Sequence, residues 1–360
     1  MSGLGHIKRG AERWATDLAY SLHSRNVDVT LFKGGGVAES NIERVIPCIK
    51  RNSMILGGKN SRISWYERAD IEEKSFSFFL LPQILFNNFD IWHIGSLNFP
   101  FKYLKTRGSI NQKIVLTCHA CIDLRTVPNW VDAITLPAPF YIENAQKSNI
   151  GGKKLFLLPN FVDTDKFNPK VKPIRDVLGI PEDSVVVLSV GAITKRKRMD
   201  YLIEEFAKIP KNESAFLLVV GEEEEETPWI KRIGKELLGD RVKFLSVPFE
   251  KMPQVYASSD IFVLANLEEY FGIVFLEAMS SGKPAIGMAH PATKWIIGEG
   301  GENINMCIEG NVATTLRRYL DDRSLREKKG KLARTRVEEV FSLEKGAETT
   351  IDLYKRILDN

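Results

Sequence analysis

The segment Asn266-Leu-Glu-Glu-Tyr-Phe-Gly-Ile-Val-Phe-Leu-Glu-Ala-Met-Ser-Ser-Gly-Lys-Pro284 carries two carboxylates, Glu269 and Glu277, on either side of a glycine and a helix start. Carboxylates accept hydrogen bonds from hydroxyl groups, so the pair suits a sugar or a ribose. Gly272 lets the backbone approach a ligand closely. The helix after it points free N–H groups and the positive end of its dipole at the same spot, which favours phosphate oxygens. Gly282 and Pro284 stop that helix. A second segment, Val190-Gly-Ala-Ile-Thr-Lys-Arg-Lys-Arg-Met-Asp-Tyr-Leu-Ile203, reads as strand, basic loop and helix. Its cations could clamp a diphosphate and stabilise the charge that develops as a sugar–phosphate bond breaks. An ordinary solvated loop would have the same composition. In the first half, Leu116-Thr-Cys-His-Ala sets His119 just past a strand, and Asp-Ile-Trp-His-Ile-Gly does the same for His93. Such a histidine either handles protons or is a hydrogen-bonded part of the scaffold. Cys118 and Cys121 make one Cys-X-X-Cys, and no second pair exists to complete a zinc site.

These residues must be held by elements, and the texture of the chain says which. Short apolar runs alternate with amphipathic stretches, the mark of βα units around parallel sheets. Strands are expected at 28–33, 90–95, 113–119, 133–137 and 154–159 in the first half, and at 184–191, 216–221, 242–246, 261–265 and 283–289 in the second. Helices are expected at 12–24, 200–208, 229–238, 252–258, 273–281 and 312–320. At roughly 150 residues per domain, 360 residues make two domains, and the Pro-rich stretch 167–181 reads as the linker. With 44% hydrophobic and 27% charged residues the chain is neither disordered nor fibrous. Four cysteines are too few for a secreted disulfide framework. No signal peptide or membrane-spanning run is evident, so a cytoplasmic location is expected.

Residues 1–175 hold 24 Lys+Arg against 15 Asp+Glu, a net of +9, and the remainder holds 26 against 31, a net of −5. A basic half suits an anionic partner such as a lipid phosphate, a membrane surface or a nucleic acid, and it also arises by chance. Phe76, Phe78, Phe79, Leu80 and Leu81 lie in the same half and fit either a membrane interface or a buried helix.

The Glu, seven residues, Glu spacing with Phe-Gly inside and Glu-Ala-Met at its end resembles the retaining GT-B glycosyltransferases, which include glycogen synthase, sucrose synthase and bacterial lipid mannosyltransferases. The resemblance covers nearly the whole chain. It implies an α/β fold of two Rossmann-like doubly wound domains facing across a cleft: residues 1–170 for the acceptor, 171–340 for the donor, and 341–360 as a helix crossing back to the first domain. It implies that Glu269, Phe271, Gly272 and Ile273 hold the donor sugar and that Glu277 holds the ribose. Gly191, Arg196 and Lys197 would hold the diphosphate, although Ala192 stands where the family has Arg. Leu158-Pro-Asn-Phe-Val-Asp163 is similar to the family's segment leading to the linker and reads as structural. His119 would lie by the anomeric carbon, which makes His119, Glu269 and Lys197 the catalytic set. Gly3, Gly5 and Gly10 resemble the family's glycine-rich loop for phosphate and acceptor. In the family a central strand precedes that loop, and here Met1 stands where that strand should have ended. Either the start lies upstream or the first domain is altered.

The implied reaction transfers a sugar from a nucleotide-sugar donor to a hydroxyl on a glycan or lipid-linked acceptor, with retention and with no metal or separate cofactor. Peripheral membrane association is expected and nucleic acid is not. Two other readings share the architecture: a catalytically inactive binding subunit, favoured by Ala192 and the missing strand, and an epimerase or phosphorylase.

Overall fold

Segments in which nearly every residue is apolar become the strands, because a parallel sheet covered by helices is buried on both faces. The computed structural model describes residues 2–7, 10–56, 63–97, 111–120, 123–148, 154–210 and 214–359. They divide into two compact units, one of residues 1–160 with 343–360 and one of residues 161–342. Both are parallel sheets flanked by helices, the expected α/β class.

In the first unit, α1 (Gly10–His23) leads to β1 (Leu31–Lys33), which pairs in parallel with β2 (Glu43–Val45). After α2 (Trp65–Phe86), strands β3 (Ile91–Ile94), β4 (Lys113–Thr117), β5 (Ala133–Leu136) and β6 (Lys154–Leu157) form a second parallel sheet in sequence order. Helix α3 (Pro139–Lys147) connects the last two. Ser64 begins α2 with a capping box: its hydroxyl accepts from the Glu67 N–H, and the Glu67 carboxylate accepts from the Ser64 N–H. One face of α2 then buries Phe76, Leu80 and Ile84 against Trp92, Ile114 and Ile134.

In the second unit six parallel strands lie in the order β12-β11-β10-β7-β8-β9. They are β7 (Val185–Val190), β8 (Ala215–Val220), β9 (Val242–Leu245), β10 (Ile261–Val263), β11 (Ala285–Met288) and β12 (Gly301–Ile304). Between them run α4 (Met199–Ala207), α5 (Thr227–Leu238), α6 (Met252–Ala257), α7 (Ile273–Ser280) and α8 (Pro291–Ile297), with α9 (Asn311–Asp321) and α10 (Arg323–Arg336) following. Side chains alternate across the sheet. Val187, Leu217, Val219 and Val263 meet Leu202, Ile203 and Phe206 on one face. Leu188, Leu218 and Phe262 meet Tyr256, Phe275 and Met279 on the other. The sheet winds outward in both directions from the β7–β10 pair, and in such sheets the loops leaving that pair part to form a crevice.

Several expectations change. The strands at 28–33 and 113–119 shorten to Leu31–Lys33 and Lys113–Thr117, and β2 and β12 had not been anticipated. Residues 161–170, assigned to the first domain, group with the second unit, where Phe167 is wholly buried in the core. The last helix, α11 (Leu343–Leu358), groups with the first unit, where it packs on α1. His93 helps to fasten it: one ring nitrogen lies 2.7 Å from the Tyr354 hydroxyl and the other 2.5 Å from Thr117 Oγ1, which continues to Thr135 Oγ1 at 2.8 Å. His93 is therefore part of the scaffold.

Burial, with the His119 charge adding to it, pushes the His93 pKa down to about 3, and burial alone pushes His119 down to about 4. Both are neutral in the folded state at pH 7, whereas the unfolded chain protonates them near pH 6.5. Their stabilisation is full above pH 6.5 and is lost as pH falls toward the folded values, at a cost of about 2 kcal/mol per histidine by pH 5. Chemical denaturation at pH 7 and pH 5 should show this loss, and a His93→Gln/His119→Gln variant should lose markedly less between the two. Equal slopes would contradict the account.

Candidate functional site

The two segments singled out by sequence leave the carboxyl ends of adjacent strands, β7 and β10, and this brings them together. Lys197 Nζ lies 2.7 Å from Glu269 Oε2, with both side chains about one-fifth exposed. The Asn266 amide donates to the same carboxylate oxygen at 2.8 Å and to the Glu268 carbonyl at 2.8 Å. Glu269 is thus oriented from two sides. The backbone turns into α7 at Gly272, with φ 79°. A Cβ there would lie 2.9 Å from both Glu269 Cγ and the Phe275 ring, so a side chain would displace the carboxylate as well as strain the backbone. Ile273, at the first helical position, is partly buried and packs on the core. Phe271 sends its ring into that core against Phe341, so only its backbone can face a ligand.

Glu277 sits one turn further along α7 and is nearly buried at 6% exposure. The hydroxyl of the fully buried Tyr256 donates to its Oε2 at 2.6 Å. Its carboxylate is therefore tied to the fold through Tyr256. Tyr256 is a member of the site that pattern reading missed, since nothing local marks a contact across 21 residues.

The basic loop divides its labour. Lys195 places its ammonium 4.0 Å from the centre of the Trp229 ring, while its backbone N–H donates to Glu226. Arg198, left-handed at φ 53°, stacks on Tyr201 and donates to the Met306 carbonyl at 2.9 Å, so it is structural. Lys197 takes Glu269, and Arg196 is exposed. The four cations reduce to two that can face a phosphate. Gly191 lies against the Lys197 stem, and its carbonyl comes so near Gly221 that a Cβ on the latter would sit 1.7 Å away. Gly221 is a second participant that sequence reading passed over. Ala192 offers no charge.

In the first unit, the glycine-rich loop packs on a run of glycines after β1. A Cβ on Gly5, where φ is 91°, would meet the Gly35 carbonyl at 2.2 Å, and one on Gly34 would meet the Ser2 carbonyl at 2.0 Å. Gly10 begins α1. The loop is fixed through His6, whose Nε2 lies 2.7 Å from Glu72, a wholly buried carboxylate also held by Arg51 at 2.5 Å. Burial alone would raise the Glu72 pKa, but hydrogen bonds from His6 and Arg51 outweigh it and hold the group at about 2. His119 stands edge-on to Trp14 at 4.7 Å, with its buried Nε2 bonded to no partner among the described residues. Cys118 is buried and reduced, and Cys121 lies outside the described residues. Among the described residues no three His, Cys, Asp or Glu side chains gather as a metal site would require.

The chain resembles solved proteins of GT-B architecture over nearly its whole length. Sucrose-phosphate synthase from Thermosynechococcus elongatus superposes with a TM-score of 0.79 at 20% identity, covering 99% of this chain and 96% of that one. Anabaena HepE, solved with UDP and glucose, gives 0.73 at 16% identity over 98% of each chain. The fold is GT-B. Residues 170–336, in the second unit, match the family described as glycosyl transferases group 1. Among curated relatives, N-acetyl-alpha-D-glucosaminyl L-malate synthase of Bacillus anthracis is 28% identical over 231 residues, or 63% of this chain and 60% of that protein. The chain thus spans less than two-thirds of that relative's length.

Replacing Glu277 separates its two duties. Glu277→Ala removes the acceptor of the buried Tyr256 hydroxyl and should cost about 1–3 kcal/mol, while Glu277→Gln keeps an acceptor oxygen and should stay within about 1 kcal/mol of the parent, on the order expected for a buried hydrogen bond. Urea unfolding measures both, and an Ala variant as stable as the parent would contradict the assignment.

Proposed function

We propose that the protein is a retaining glycosyltransferase that moves a sugar from a nucleotide-sugar to a hydroxyl acceptor. The observation that carries this reading is the Lys197–Glu269 pair at the β7–β10 crevice beside the Gly272 helix start. In this reading the donor diphosphate lies between Lys197, Arg196 and the free N–H groups at the start of α7, which are fixed before the reaction and stabilise charge as it develops on the phosphate. The free oxygen of Glu269 accepts from the sugar hydroxyls, the amides after Phe271 donate to the sugar oxygens, and Glu277 accepts from the ribose. The bond from the anomeric carbon to the phosphate oxygen breaks through an oxocarbenium-like transition state. The acceptor oxygen bonds to the same face of that carbon, and its proton passes to the departing phosphate oxygen, so configuration is retained. Glu269 is already bonded to Lys197 and Asn266, which supports electrostatic help over covalent attack. His119 is a neutral imidazole at pH 7 with an uncommitted buried nitrogen, and in this reading it orients donor or acceptor. No metal or separate cofactor is invoked.

The acceptor is proposed to be lipid-linked, met at the cytoplasmic face of a membrane. Helix α2 supports this. The phase of the helix sends Phe76 and Leu80 inward and leaves Phe78, Phe79, Pro82, Leu85 and Phe86 exposed along one stripe, with Phe78 and Phe86 at 70% and 86% exposure. An apolar stripe on a basic half of the chain suits an anionic interface. No helix among the described residues is long and apolar enough to cross a membrane.

Sugar transfer should be measured from UDP-, GDP- and ADP-sugars to glycolipid in anionic vesicles and to a soluble glycan. One nucleotide should support transfer with retention, and Phe78→Ser/Phe86→Ser should cut vesicle transfer at least about tenfold while leaving the soluble reaction unchanged. Nucleotide binding without transfer would instead favour the inactive-subunit reading that Ala192 raises. Phosphate-dependent or acceptor-free sugar release would point to a phosphorylase or epimerase.

A further inference from the structure

Lys197 Nζ and Asn266 Nδ2 both donate to Oε2 of Glu269, at 2.7 and 2.8 Å, while Oε1 meets no donor among the described residues. The two donors reach that oxygen by different routes. Lys197 comes from the loop after β7 on a flexible stem, and one bond leaves its ammonium two further hydrogens to give. Asn266 comes from the same loop as Glu269, three residues past the end of β10, and is buried at 3% exposure. Its amide is locked, because its other donated bond goes to the Glu268 carbonyl at 2.8 Å. Both partners can only accept, so the nitrogen lies on this side and the oxygen, Oδ1, on the other.

This arrangement has a cost. Oδ1 is buried and bonded to no partner among the described residues, and a buried acceptor left unpaired weakens a fold. Alanine at 266 would bury no such group. The two bonds that the amide gives return little stability: Glu268 lies at the surface, and Glu269 is one-fifth exposed with Lys197 already beside it, so water could serve both acceptors. The fold alone does not account for asparagine here, and a residue that breaks a local rule without a structural gain marks a functional position. What the amide secures is direction. A carboxylate held by Lys197 alone would turn with that side chain as the ammonium moved toward a phosphate. Held by Asn266 from its own loop, it keeps Oε2 occupied and Oε1 free in one orientation.

We propose that Asn266 is a positioning residue that sets the choice of donor sugar. By fixing Glu269 through Oε2 it presents Oε1 at one angle. A sugar whose hydroxyl reaches that oxygen is bound, and an epimer whose hydroxyl points elsewhere leaves the oxygen unpaired and is rejected. The proposal rests on the transferase reading and adds a division of labour to it: Lys197 serves the diphosphate that all donors share, and Asn266 serves the part in which they differ.

Calorimetric binding to the wild type, Asn266→Ala, Asn266→Asp and Lys197→Met tests this, with UDP-, GDP- and ADP-glucose, their galactose and mannose counterparts, and the three diphosphates alone as probes. The wild type should prefer one sugar by at least about tenfold. Asn266→Ala should reduce that preference to about threefold or less, with diphosphate affinity within about twofold and melting temperature within about 4 °C of the wild type. Asn266→Asp, equal in size but without the donor, should lose the preference as well. Lys197→Met should do the opposite, weakening the diphosphate and every sugar conjugate alike while keeping the preference. A wild-type preference in both Asn266 variants would overturn the proposal, as would a wild type that binds the sugars without preference. A larger fall in the melting temperature of Asn266→Ala would also overturn it, by making Asn266 part of the scaffold. These three results leave the transferase reading standing, whereas a wild type that binds no nucleotide-sugar would overturn both.

Discussion

The ion pair between Lys197 and Glu269 exists because two parallel strands, β7 and β10, are neighbours although 70 residues of chain separate their ends. Their pairing fixes the rest of the second unit. β8 and β9 follow on one side, β11 and β12 on the other, and each helix covers the face its crossover dictates. Only at β7 and β10 do consecutive connections depart in opposite directions, leaving the loops unobstructed by a helix between them. Gly272 and Gly221 serve the same constraint, for each removes a side chain where backbone must pass close to the pair or to its strand end.

The first unit depends on a different device. Its glycine-rich loop is held by backbone packing against Gly34 and Gly35 and by His6 reaching the buried Glu72, which Arg51 neutralises. Arg51 compensates the buried charge, and the His6 hydrogen bond to the same carboxylate ties the loop to α2 across 66 residues of chain. α11, far away in sequence, completes the same unit through Tyr354 and His93.

Much of this was legible in the sequence where a local signal carried it. Runs such as Val185–Val190 and Ala215–Val220 are apolar throughout because both faces are buried, and that composition alone marks a central parallel strand. Glu269, Gly272 and Glu277 were legible by spacing. β2 and β12 were not, since Glu-Arg-Val and Gly-Glu-Asn-Ile lie in strands of three and four residues with mixed polarity. The cations of 195–198 read alike as a string, but Trp229 and the Met306 carbonyl claim two of them, and those contacts depend on tertiary neighbours. The phenylalanines of α2 became interpretable only with the phase of the helix. Asn266, Tyr256 and the Glu72 network left no local mark, because each is defined by a partner brought close by folding.

The central claim is that Lys197 and Glu269 act as one unit in holding the donor. Calorimetric titration of the preferred nucleoside diphosphate into the wild type, Lys197→Met, Glu269→Gln and the double variant tests it most directly. The account predicts that Lys197→Met weakens binding at least tenfold, and that the double variant differs from the sum of the singles by about 0.5–3 kcal/mol, as coupled neighbours do. Wild-type affinity in Lys197→Met, or strict additivity across the four proteins, would contradict it.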